Sequence, residues 1–281
     1  MEFMRVAGSL RSVRYFQEGH AVEREKIQKM LEAARLASRA MNVAWGRGIV
    51  AYRDGLSQED REALRTPFAS VEFDLAPVYI FWYHDTQATG LAMGARAYPA
   101  VPSGVLQDIA VLGPPHGWSR RFVQEVFLPQ RLTPGMPADA DVPRVGAPGV
   151  GHSDAAMAMM QAYLCAVDEG LGACLAPFNE DAAVRILGAP KAWEALQVLL
   201  VGYAAEEPEA GGQPPRAPWE ETFFVGNVDT PHPRHEAVTA RLREQGLIQD
   251  PAPLSWRTAE VRALSRGFGL PGGEPNGEGP A

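Results

Sequence analysis

A chain of 281 residues with 46% hydrophobic side chains carries enough apolar content to bury a substantial core, which excludes disorder as the default and suggests one large domain or two small ones. Asp plus Glu number 34 against 26 Lys plus Arg, a formal net charge of -8, so the overall field repels nucleic acid and acidic membranes and any anionic ligand needs a local basic pocket. The only cysteines, Cys165 and Cys174, lie in apolar stretches, which fits buried thiols in a reducing compartment better than a disulfide framework.

Met1 to Ser9 lacks a charged segment followed by an apolar one, and no uninterrupted apolar run approaches the roughly 18 residues of a membrane span. The expectation is a cytoplasmic protein without a membrane or nucleic-acid partner.

In chain order, Val22 to Met41 places Val22, Ile27, Met30, Leu31, Ala34, Leu36 and Ala37 near helical spacing and predicts a helix. Ile49 to Tyr52 predicts a short strand. Ser57, three residues before Asp60, predicts a capped helix to Leu64. Val78 to Tyr83 is an unbroken apolar and aromatic run, as expected for a strand buried on both faces. Trp118 to Leu128 reads as amphipathic, and Leu132 to Gly151, rich in Pro, Gly and Asp, as a long excursion.

Asp154 to Asp168, small, apolar and Met-rich nearly all round, predicts a buried central helix. A strand at Ala173 to Ala176, a helix capped by Asn179 and running to Leu187, and a strand at Leu196 to Tyr203 follow. Trp219 to Val225 is a further candidate strand, and two short helices are expected near Glu236 to Gln245 and Thr258 to Ser265. Helices and strands alternate without the regular spacing of a doubly wound sheet, so the fold class is α+β, a central mixed or antiparallel sheet flanked by helices. The closing stretch 271–281 is mostly Gly, Pro, Glu and Asn and predicts a disordered tail.

Several weaker signals point away from other chemistries. His232 and His235 flank Pro233 without a Cys or carboxylate cluster to complete a metal shell, so no metal site is expected. Gly146 to Gly151 lacks the Lys-Ser/Thr of a P-loop and reads as a loop. No Ser stands in a nucleophile elbow, and Met157, Met159 and Met160 read as core packing.

The strongest constellation is Leu10-Arg11-Ser12-Val13-Arg14-Tyr15-Phe16. Two guanidiniums and a hydroxyl fall within a few residues in an otherwise acidic chain, and a phosphate could use all three as donors. This segment resembles the Arg-Arg-Ser-x-Arg/Lys opening of the nitroreductase-like family of FMN oxidoreductases, with Leu10 in place of the first Arg. Three further places carry the resemblance in the same order. Ala37-Ser38-Arg39-Ala40-Met41-Asn42-Val43-Ala44-Trp45 is similar to the family's Ala-Pro-Ser-Ala-x-Asn-x-Gln-Pro-Trp, with Ser38, Arg39 and Ala44 as departures. Gly170-Leu171-Gly172-Ala173-Cys174, Val184 to Pro190 and Leu199 to Tyr203 are similar to its later helix and strand motifs. Pro215-Arg216-Ala217-Pro218-Trp219-Glu220-Glu221 looks like its Lys-Pro-Arg-Lys-Pro-Leu-Glu-Glu ending, with Pro214 where Lys is usual.

The resemblance implies a nitroreductase-like fold over 1–228, with 98–151 as a variable excursion and 229–270 as a helical C-terminal extension, assembled as an intertwined homodimer. It implies FMN as cofactor, held by Arg11, Ser12 and Arg14 with Arg216. Ser38, Arg39, Ala40 and Asn42 would reach the flavin from the partner subunit, and Ala176, Pro177 and Phe178 would lie against the ring. Pro177 has no amide hydrogen, so a donor to flavin N5 would have to be Ala176 or Phe178. The implied activity is hydride transfer from NAD(P)H through FMN to an electron-poor acceptor such as a nitroaromatic or quinone. Two alternatives stay open: a flavin-binding or interaction protein on the same scaffold, and a divergent branch that fragments flavin, dehalogenates or oxidises heterocycles.

Overall fold

A computed structural model describes residues 3–39, 44–86, 149–207 and 211–270. The predicted amphipathic segment 118–128, the excursion up to residue 148, Ala40, Asn42 and the tail 271–281 lie outside them. The elements in chain order are α1 (Phe3–Gly8), α2 (Arg24–Arg35), β1 (Gly46–Tyr52), α3 (Gln58–Leu64), α4 (Ser70–Leu75), β2 (Val78–Asp85), α5 (Val150–Asp168), β3 (Gly172–Ala176), α6 (Glu180–Leu187), β4 (Trp193–Gly202), α7 (Glu236–Glu244) and α8 (Leu254–Gly267). Among the described residues, β1 to β4 form one sheet in the order β1-β2-β4-β3, with every pairing antiparallel. This is the expected α+β class.

Every residue of β2 is buried, and alternation sends its side chains into two different cores. Tyr79, Phe81 and Tyr83 join Leu64, Phe73, Ala182 and Ala183 beneath α3, α4 and α6. Val78, Ile80 and Trp82 join Ile27, Met30, Ala162 and Ala166 beneath α2 and α5. A strand between two helical layers has no solvent face, which is why its sequence reads as one apolar run rather than an alternation.

Local caps match the sequence signals. Ser57 Oγ accepts from the Asp60 amide at 3.0 Å, and Asn179 Oδ1 accepts from the Ala182 amide at 3.1 Å. Gly188 ends α6 in the left-handed region at φ 70°, a conformation that favours glycine.

Three expectations need correcting. Met157 and Met160 are not core packing: they are 43% and 36% exposed, and of the three methionines only Met159 is buried. α2 ends at Arg35 rather than continuing to Met41, and Leu36, counted on the apolar face, is 70% exposed, so the apolar stripe that holds the helix to the core stops short of it. Trp219 to Val225 is not a strand: a single 3-10 turn spans Trp219–Glu221, and among the described residues the pairing there is an isolated bridge from Phe224 to Pro231. Prolines at 214, 215 and 218 remove three amide donors just upstream, so a ladder has little to start from.

The extension packs back on the start of the chain. Tyr15 Oη shares a hydrogen bond with Ser265 Oγ at 3.0 Å, and its ring lies 6.0 Å from that of Phe268. Gln213 Nε2 donates to Gly8 O and Leu247 O at 3.1 and 2.6 Å, while its Oε1 accepts from the Gln249 amide at 3.0 Å. A Cβ on Gly8 would collide with Gly246 O, so glycine permits this close approach. No helix among the described residues is long and apolar enough to cross a membrane.

Candidate functional site

The segment Arg11–Arg14 is fixed from three sides. The Val13 amide donates to Ala173 O at 3.0 Å, which lays the segment along β3. Tyr163, from the middle of α5, donates to Arg11 O at 2.5 Å and lies 3.1 Å from Ala173 O. The third support is Glu206, whose side chain is fully buried. Its Oε1 accepts from the amides of Arg14 and Tyr15, and its Oε2 pairs with Arg257 Nη2 at 2.5 Å. A carboxylate removed from water needs such partners, since its desolvation is otherwise uncompensated.

Within that frame the candidate anchor residues separate. Arg11 is buried, its guanidinium donating to Gly8 O and Leu10 O at 2.8 Å and to Gln249 Oε1 at 2.5 Å. Ser12 and Arg14 are exposed. Arg14 Nη1 donates to its neighbour Ser12 O at 3.2 Å, and its Nε lies 4.0 Å from Glu72, a contact at the outer limit of an ion pair. A guanidinium has five N–H donors, so Arg14 has several left for a ligand. Arg216 is exposed and, among the described residues, makes no hydrogen bond or ion pair; it follows three residues after Gln213, which bonds Gly8.

The second candidate group lies elsewhere. Arg39 lines a cleft of about 210 Å³ with Ala44, Trp45, Gly46, Trp82 and Asp154, and Ser38 is exposed beside it. Asp154 and Tyr163 are nine residues apart on α5, roughly 13 Å along its axis. Within one chain the Arg39 cleft and the Arg11 segment therefore sit against different turns of the central helix. The cleft is smaller than the ~300–1,000 Å³ usual for small-molecule sites.

The third group closes β3. Ala176 is buried opposite Val198, Pro177 is exposed, and the Phe178 ring packs edge-on against Phe81 and Tyr83 at 5.1 and 5.6 Å. Phe178 also bridges to Arg65. Its side chain belongs to the core, and the next amide, Asn179, donates to Leu64 O at 2.8 Å.

His232 Nδ1 shares a hydrogen bond with Pro233 O at 3.0 Å, and its own carbonyl accepts from the Trp219 indole. A different cluster escaped the sequence reading. His84, His152 and Glu194 bring one ligand atom each to within 4.8 Å of one another. These residues are remote in sequence, and only the β2–β4 register, which sets His84 opposite Glu194, could have signalled the pair.

The fold, with its basic segment beside β3 and its central helix, is shared with proteins of known structure. A family model described as the nitroreductase family matches residues 9–203, and the chain belongs to that family. A nitroreductase-like protein from Streptococcus mutans is 18% identical, with a TM-score of 0.61, over 80% of this chain and 98% of the other. A nitroreductase family protein from Streptococcus pneumoniae is 16% identical with a TM-score of 0.55, over 80% of this chain and 100% of that one. A nitroreductase-type protein from Exiguobacterium sibiricum, solved in complex with FMN, is 21% identical with a TM-score of 0.54, over 78% and 94% of the two chains. Comparison with curated proteins by sequence finds no match.

Proposed function

We propose that this chain is an FMN-dependent oxidoreductase that uses NAD(P)H to reduce an electron-poor acceptor such as a nitroaromatic or quinone, and that it acts as a homodimer with shared flavin sites. The observation that carries this reading is the Ser12–Arg14 segment: the exposed residues Ser12 and Arg14, on a backbone held by Glu206, Tyr163 and Ala173, in a chain of net charge -8. Such a segment suits a phosphate, because its donors are oriented before the ligand arrives. When bound, FMN supplies the redox chemistry, taking hydride from the nicotinamide and giving it to the acceptor.

The protein's part is to bind and orient. Ser12, Arg14 and Arg216 hold the phosphate, with Arg14 also offering positive charge to the pyrimidine edge of the flavin. Arg11 acts through its burial, tying the segment to Gly8 and Gln249. The Ala176–Phe178 turn lies against the ring, and since Pro177 carries no N–H, any amide donor there is Ala176 or Phe178. Ser38, Arg39, Ala40 and Asn42 reach the flavin of the partner subunit.

Two observations support the dimer. The Arg39 cleft is too small for a cofactor and stands away from the Arg11 segment of its own chain, as expected if each completes a site on the other subunit. Residues Phe223, Phe224, Val225 and Val228 are 41–76% exposed in the single chain, an apolar stretch that calls for a cover. The two unpaired thiols support a reducing compartment such as the cytoplasm.

Purified protein should show flavin absorbance that bleaches on anaerobic addition of NADH or NADPH and returns with a quinone. Absorbance that neither nicotinamide bleaches would overturn the catalytic reading.

A further inference from the structure

β2 ends in a position that its alternation makes unusual. Val78, Ile80 and Trp82 point into the core beneath α2 and α5, and His84 is next on that face, only 8% exposed. Glu194 is its partner across the β2–β4 ladder, and the two side chains meet with His84 Nδ1 3.0 Å from Glu194 Oε2. The first turn of α5 then closes over the pair. Gly151 approaches so nearly that a Cβ there would stand 2.5 Å from His84 Nε2 and 2.9 Å from the Trp45 ring. The next residue, His152, brings its ring to 6.0 Å from that of His84 at 78°.

We propose that His84, His152 and Glu194 form a binding site for one divalent ion of the zinc class. Their ligand atoms already lie within 4.8 Å of one another. Metal–ligand bonds of ~2.0–2.2 Å at tetrahedral angles put ligand atoms roughly 3–3.5 Å apart. The His84–Glu194 separation meets that spacing, and His152, with an exposed side chain, reaches it by rotation. His84 Nε2 is sealed from solvent and has no hydrogen-bond partner, walled by Gly151 and Trp45, so Nδ1 is the nitrogen presented to an ion.

The surrounding charge permits a dication. Arg47, the nearest cation on the neighbouring strand, is paired with Asp85 at 2.8 Å. Two imidazoles with a single carboxylate select zinc, cobalt, nickel or copper over magnesium or calcium, which favour all-oxygen shells. Three protein ligands leave a position open to water. The ion would staple the ends of β2 and β4 to the start of α5, beside the Trp45 loop. None of this requires FMN.

The test uses the full chain, stripped with a chelator and titrated with cobalt(II), which reports its coordination through visible d–d bands. Wild type should bind one cobalt per chain with the intense bands of a four- or five-coordinate ion, bleached by zinc, and zinc should raise the melting temperature. H152A and E194Q, both at exposed side chains, should each weaken cobalt binding at least ~10-fold, while a variant with His232 and His235 both changed to Ala should bind as wild type does. Flavin content, measured on the same samples, should be the same in all. Failure of wild type to bind cobalt stoichiometrically, or undiminished binding by H152A and E194Q, would overturn the proposal.

Discussion

Glu206 shows what a single buried charge commits a fold to. Its carboxylate receives two amides from the Arg14 turn on one side and Arg257 from α8 on the other. Removing one member of such a group leaves the rest desolvated without compensation, which typically costs ~3–5 kcal/mol. E206A should therefore lose about that much stability in urea titrations, and pairing it with R257M should recover part of the loss. The donors proposed for the flavin phosphate behave differently because they are exposed. Replacing Arg14 and Arg216 together by Ala should barely change stability yet weaken flavin retention by roughly two to four orders of magnitude, if each charge-assisted bond is worth ~1.5–3 kcal/mol. Fluorescence of released flavin reads this directly. Arg11→Ala should do the reverse, costing stability first, because its guanidinium bonds main-chain carbonyls. The sequence displayed Arg11, Ser12 and Arg14 as equals. Their different burial depends on Gly8, Gln249 and Glu206, which arrive from α1 and from more than 190 residues further along the chain.

At the scale of elements, the tightest seam runs between the anchor segment and β3. A Cβ on Gly172 would stand 2.7 Å from Val13 Cγ1, and on Gly202, its ladder partner, 2.7 Å from Pro77 and 2.8 Å from Phe16. G172A should force Val13 outward and cost ~1–3 kcal/mol, as overpacked sites do. Urea unfolding measures the cost, and loss of flavin alongside it would show that the seam positions the ligand segment. These elements were legible where one physical cause dominates: the unbroken apolar run of β2 and the caps at Ser57 and Asn179 announce themselves locally. Trp219 to Val225 misled because its aromatic content suggests a strand, whereas strands need partners and the prolines before it supply no amides. The pair of His84 with Glu194 was illegible for the complementary reason. Nothing local marks two residues that meet only through the register of β2 on β4.

For the whole molecule, the burial of titratable groups sets an alkaline limit. Burial pushes the Cys174 thiol up to about 11 and the Tyr79 hydroxyl up to about 12, and it raises Tyr83 and Tyr163 further in the same direction. Each group holds its proton more tightly folded than unfolded, so its contribution to stability is complete below the unfolded pKa and is lost as pH rises through the folded one. Stability should be insensitive to these groups up to about pH 8.5, the ordinary thiol value, and should fall steadily above it. Denaturant midpoints at several alkaline pH values check the slope. At pH 8 Cys174 should resist iodoacetamide until the chain unfolds, as mass spectrometry of the labelled peptide would show. The proposed dimer makes a separate prediction at this scale: light scattering should give twice the 30.5 kDa chain mass, with flavin lost as dilution separates the subunits.

The junction of Tyr15 with Ser265 and of the Arg14 turn with Arg257 has a consequence in time as well as in space. A ribosome that adds ~5–20 residues per second needs on the order of tens of seconds to travel from Arg14 to Ser265. For most of that interval Glu206 does not yet exist, and until Arg257 follows it the anchor segment lacks the full set of partners that immobilise it, so the nascent chain has no finished cradle to offer. Cofactor loading would then follow release from the ribosome, and a chain stalled short of its last helix would emerge unable to keep what it bound.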